Sequence, residues 1–192
     1  GQITVTSEDA PTFSGSIAFS TGIASMGNSG ALAVRTGTAS SGKGGAIDIL
    51  VGFGESGTGG NATITAGMAA ASGATGGTVN ITSGSGSNSG TGLTGGIGGA
   101  LVLFAGGGVG NTGGSVFMSS GNGLASSSGS IDLLTPNAGT TGTSGKLSFS
   151  SGTTSGGNSG FVAVGTGTSN TGKGGHITME VGSGTSGDGG HI

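Results

Sequence analysis

A short glycine-led unit recurs twelve times along this chain, and it constrains the fold more than any other feature. Each unit runs Gly-x-Φ-x-Φ-x-x-Gly, where Φ is apolar, and then passes into a Gly/Ser/Thr-rich second half, about 15 residues in all. Units open at Gly1, Gly15, Gly30, Gly45, Gly60, Gly77, Gly99, Gly114, Gly129, Gly145, Gly160 and Gly175, with Gly190 opening another. The first apolar column reads Ile3, Ile17, Leu32, Ile47, Ala62, Val79, Leu101, Val116, Ile131, Leu147, Val162, Ile177. The second reads Val5, Phe19, Val34, Ile49, Ile64, Ile81, Leu103, Met118, Leu133, Phe149, Val164, Met179.

Apolar residues two apart follow the period of a strand and place both side chains on one face. Many are β-branched, as strands prefer, and no segment shows the period of a helix. Glycine follows each apolar pair at Gly22, Gly37, Gly52, Gly67, Gly84, Gly106, Gly121, Gly152, Gly167 and Gly182. These read as turns, because glycine accepts positive φ without steric cost; Pro136 takes the place once. Two positions later the residue is small: Ala24, Ala39, Gly54, Ala69, Gly86, Gly108, Gly123, Ala138, Thr154, Ser169, Gly184. A short second strand pointing inward explains such a column. The pattern therefore predicts an all-β fold, a flat and thin parallel β-solenoid (β-helix) with ~15-residue rungs. The competing geometry winds two units into each coil. In either, one unit buries too little to fold alone, and stability is a sum over stacked neighbours.

A longer period lies over the short one. Residues 15–62 align without gaps to residues 145–192, an offset of 130, with 26 of 48 positions identical. Eight units make one super-repeat, so residues 1–192 read as a single array excerpted from a longer chain. Two units are long, at 17 residues (60–76) and 22 residues (77–98). Their additions, around 68–75 and 87–98, are expected to bulge from the turn edge.

Composition sets limits on function. Charged residues are 6% of the chain, the net charge is −3, and Cys is absent. There is no basic stripe for nucleic acid, no apolar run near the roughly 20 residues that span a bilayer, and no thiol chemistry. The acids Glu8, Asp9, Asp48, Glu55, Asp132, Glu180 and Asp188 scatter over different columns, so no catalytic constellation and no cofactor is expected. His176 and His191 share a register position in successive units; they are either a metal-holding pair or two surface residues, and the second is favoured. Gly106-Gly107-Gly108 lacks the Gly-Lys-Ser/Thr ending of a phosphate loop. The turns lack the Asp of calcium-binding solenoids, and the outward positions carry no continuous Thr column of the kind an ice-binding face presents.

Those outward positions do carry Val102, Phe104, Phe117 and Leu134 on three successive units. Exposed apolar patches mark interaction sites. These four residues are a candidate lateral interface, unless an inserted loop covers them. Asn61-Ala62-Thr63 and Asn80-Ile81-Thr82 are N-glycosylation sequons with both Asn side chains outward.

Gly42-Lys43-Gly44-Gly45-Ala46-Ile47, Ser186-Gly187-Asp188-Gly189-Gly190-His191-Ile192 and the repeated Gly-Asn-Ser-Gly of 27–30 and 157–160 recur at fixed spacing. In this the chain resembles the Gly/Ser/Thr-rich tandem-repeat β-solenoid proteins of microalgal and oomycete surfaces. The resemblance implies an extracellular or cell-surface location and a role in flagellar hairs or cell-wall filaments. The expected function is a non-enzymatic filament subunit that assembles with itself by continued solenoid stacking and lateral packing, with covalent glycans. The alternative is an adhesin stalk or a polysaccharide- or ice-binding solenoid.

Overall fold

A computed structural model describes all residues of the chain except 8, 10, 12, 87–94 and 186. The chain divides into two units, Gly1–Leu101 and Val102–Ile192. Neither contains a helix or a strand among the described residues. The expected β-solenoid is therefore absent in both of its forms, one ~15-residue rung per coil or two, and the backbone is mostly coil. No described residue is buried, and no hydrophobic core exists among them. The accessible surface is 18699 Å² for 17.3 kDa. A folded monomer of that mass exposes roughly 7,800 Å² and an unfolded chain roughly 25,000 Å².

The correction has a physical cause. Period-two patterning says which side chains share a face, but nothing about what covers that face. A ladder requires a second backbone to bond with, and closing it fixes residues whose unfolded freedom is large. Glycine loses the most on ordering, and 52 of the 192 residues are Gly. The second half of each unit has little apolar surface to offset that loss.

The repeat survives in local geometry. Nine of the twelve units show one bend each among the described residues, at 25–27, 40–42, 55–57, 71–73, 109–111, 124–126, 140–141, 155–157 and 170–172. Between bends the backbone runs without turn or bend, as over 28–39, 43–54, 112–123 and 158–169. The bends fall three or more residues after the glycines expected to turn the chain. Those glycines do not adopt positive φ; among the described residues only Gly27, Gly42, Gly73 and Gly110 do. Gly73, at φ 75°, is the third residue of a turn closed by the Ala74 amide donating to the Ala71 carbonyl at 3.1 Å, as a type II turn requires.

Around every bend the chain closes on itself. The opening Gly of one unit meets the seventh residue of the unit before. A methyl group on Gly45 would sit 3.2 Å from Thr36 Cβ, one on Gly30 3.5 Å from Thr21 Cβ, and one on Gly129 3.5 Å from Ser120 Cβ. The same partnership recurs at every junction of the array. At four junctions the opening amide also donates to the glycine carbonyl after that residue. These bonds are Gly77 to Gly67 and Gly99 to Gly84 in the first unit, and Gly114 to Gly106 and Gly129 to Gly121 in the second, at 2.8–2.9 Å. Where the seventh residue is Thr135 or Thr166, its Oγ1 donates to the carbonyl of Gly145 or Gly175 instead, at 3.1 and 3.2 Å. We call this closure the clasp. The long units keep it: the extra residues of 60–76 lie between Gly67 and Gly77, inside the clasped loop. In 77–98 the clasp joins Gly84 to Gly99, and residues 87–94 of the second expected bulge lie outside the described residues.

Candidate interaction surface

The clasp explains the column of small residues before each bend. A Cβ on Gly108 would lie 2.6 Å from the carbonyl oxygens of Asn111 and Thr112, and one on Gly184 2.7 Å from that of Gly187. On Gly123 it would collide with the carbonyls of Ser126 and Ser127. Real Cβ atoms do not approach backbone so closely. Where the column holds a hydroxyl residue, the hydroxyl accepts from the bend: the Gly172 amide donates to Ser169 Oγ at 2.9 Å, and the Gly156 amide to Thr154 Oγ1 at 3.4 Å. At these positions the column is small because the returning limb passes over it, and the expected inward second strand is absent among the described residues.

The clasp also sets which side chains are covered. Among the described residues only Ser7, Ala66, Ser83 and Ser120 are half-buried, and all four are seventh residues facing an opening Gly. Val51 and Val181, one super-repeat apart, are the least exposed large apolar residues among those described, at 42% each, with Cγ1 2.8 Å from a methyl placed on Gly60 or Gly190. Sequence reading missed this seventh column. Its signal was there: Ser7, Thr21, Thr36, Val51, Ala66, Ser83, Ala105, Ser120, Thr135, Ser151, Thr166 and Val181 are never larger than Val.

The two apolar columns sit between the clasps. From Ile17 to Ile177 the large residues of the first column are 46–63% exposed. Apolar residues at or just before the bends, such as Ile23, Met26, Val109 and Leu124, are fully exposed. Each column is therefore partly screened by its own chain and left open on the remainder.

Of the predicted site residues, Val102 and Leu134 are exposed, and Phe104 and Phe117 are 91% and 88% exposed. Asn61, Thr63, Asn80 and Thr82 are all exposed. Glu8 lies outside the described residues, and the other acids and both histidines are exposed. Among the described residues no group of three or more His, Cys, Asp or Glu gathers as a metal would need, and there is no pocket. No described helix is long and apolar enough to cross a membrane.

No family model, curated protein or solved structure matches this chain.

Proposed function

We propose that the chain is a structural subunit of an extracellular or cell-surface filament, built by lateral packing of its apolar columns against other copies of itself. One observation carries this: 23 large apolar side chains stand in two registered columns, and none is buried by the chain itself. Exposed apolar surface on that scale is a hallmark of surfaces that meet a partner. The accessible surface exceeds that of a compact monomer by roughly 10,900 Å², whereas a standard protein interface removes about 1,200–2,000 Å². The self-copy is the natural partner because its columns carry the same spacing. Sparse charge, 6% of residues, leaves little repulsion to hold copies apart.

Lateral packing replaces the assembly by solenoid stacking that the repeat suggested. Releasing water from half-exposed aliphatic side chains supplies the driving force. Electron microscopy and sedimentation over a concentration series test this. Filaments that appear above a threshold concentration support it. Chain that stays monomeric at high concentration overturns it, and retention of that monomer on a polysaccharide matrix would establish the adhesin reading in its place.

A further inference from the structure

Two sequons, Asn61-Ala62-Thr63 and Asn80-Ile81-Thr82, lie in the first unit and take no part in the packing just described. In each, the residue between Asn and Thr belongs to an apolar column: Ala62 to the first and Ile81 to the second. Side chains alternate along an extended backbone, so one that is extended through the sequon would set Asn and Thr on the side opposite that residue. Residues 58–70 and 74–86 contain no turn or bend, and Asn61, Thr63, Asn80 and Thr82 are all exposed. Their side chains enter no hydrogen bond within the chain among those the structure gives. Neither middle residue is Pro, which would block the sequon. Seven other Asn residues, at 28, 88, 111, 122, 137, 158 and 170, lack the Ser or Thr two positions on.

We infer that Asn61 and Asn80 are N-glycosylation sites whose glycans stand on the side away from the apolar columns. The inference rests on the extracellular placement proposed above. The co-substrate is a lipid-linked oligosaccharyl diphosphate. The Asn Nδ2–C1 bond forms as the C1–O bond to the diphosphate breaks; the diphosphate leaves with the bonding pair, and the amide nitrogen loses one proton. No oxidant or reductant is required. On a chain with 6% charged residues, glycans on that side would keep water around it while the columns stay free to pack.

The test is expression of the full chain behind a secretion signal in a eukaryotic cell, with intact-mass measurement before and after peptide N-glycosidase. Two glycans are expected on the parent chain, one on Asn61→Gln or Asn80→Gln, and none on the double variant. Thr63→Ser and Thr82→Ser should keep their glycans, whereas Thr63→Ala and Thr82→Ala should lose them. Secreted chain at the mass of the bare polypeptide overturns the inference. Sedimentation of the deglycosylated chain separates this from the filament proposal: assembly without glycans leaves the filament standing alone. A glycosylated chain that never assembles keeps the sites and removes the filament.

Discussion

Gly123 and Gly121 are two residues apart and demand glycine to very different degrees. A side chain on Gly123 meets the carbonyls of Ser126 and Ser127, whereas one on Gly121 meets nothing within 4 Å and needs no positive φ. We expect Gly123→Ala to open its bend and release the Gly129 amide from the Gly121 carbonyl. Such a bond is worth about 1 kcal/mol, so hydrogen exchange at Gly129 should quicken about fivefold. Gly121→Ala should leave that rate unchanged. Equal effects at both positions would show that the close approach does not govern the bend. At this scale the sequence was a good guide to where, and a poor guide to why. The small column before the bend stands out by inspection, yet its cause is a backbone passing overhead, which composition does not reveal. The glycines after the apolar pairs were expected to supply positive φ. Four of them, Gly67, Gly84, Gly106 and Gly121, serve instead as carbonyl acceptors for the next opening amide, a role any listing of turn-forming residues overlooks.

At the level of the unit, the periodic elements were legible and their pairing was not. Ile131 and Leu133 stand two apart as a strand would place them, and both remain about half exposed. Alternation fixes the face, but a ladder depends on a partner strand at hydrogen-bonding distance, and only the clasp brings two limbs that close. The 130-residue period does persist: Thr36 with Gly45 and Thr166 with Gly175 each place Thr Cβ 3.2 Å from the methyl position of the glycine. Local contacts thus follow sequence faithfully, while longer-range order does not. If the columns close against other copies, Ile131→Ser with Leu133→Ser removes the part of both side chains still to be covered. Full burial of each is worth about 1.5–3 kcal/mol and half remains open, so the pair forfeits about 1.5–3 kcal/mol. The threshold concentration for assembly should rise roughly 10- to 150-fold, read by sedimentation. No change would exclude these columns from the contact. The same double change placed at Ile23 and Met26, fully exposed at or just before a bend, should move the threshold far less.

For the molecule as a whole, cohesion is expected to come from water rather than from charge. The net charge is −3 over 192 residues, and the Debye length already limits such sparse charges to near neighbours. Sodium chloride should therefore shift the assembly threshold little, and sulfate, which strengthens apolar burial, should lower it. A steep dependence on sodium chloride would point to ionic contacts instead. The most direct measurement of the central claim is hydrogen exchange of the same chain below and above the threshold. In dilute solution the amides of the apolar columns from Ile17 to Ile177, as distinct from the clasp amides, should exchange close to the rate of an unstructured peptide, with no cooperative thermal transition, since the chain alone encloses no core. Once assembled, the apolar columns should become strongly protected while the bends continue to exchange. Strong protection and a cooperative transition in the dilute monomer would contradict it, because a lone chain would then be burying those columns by itself.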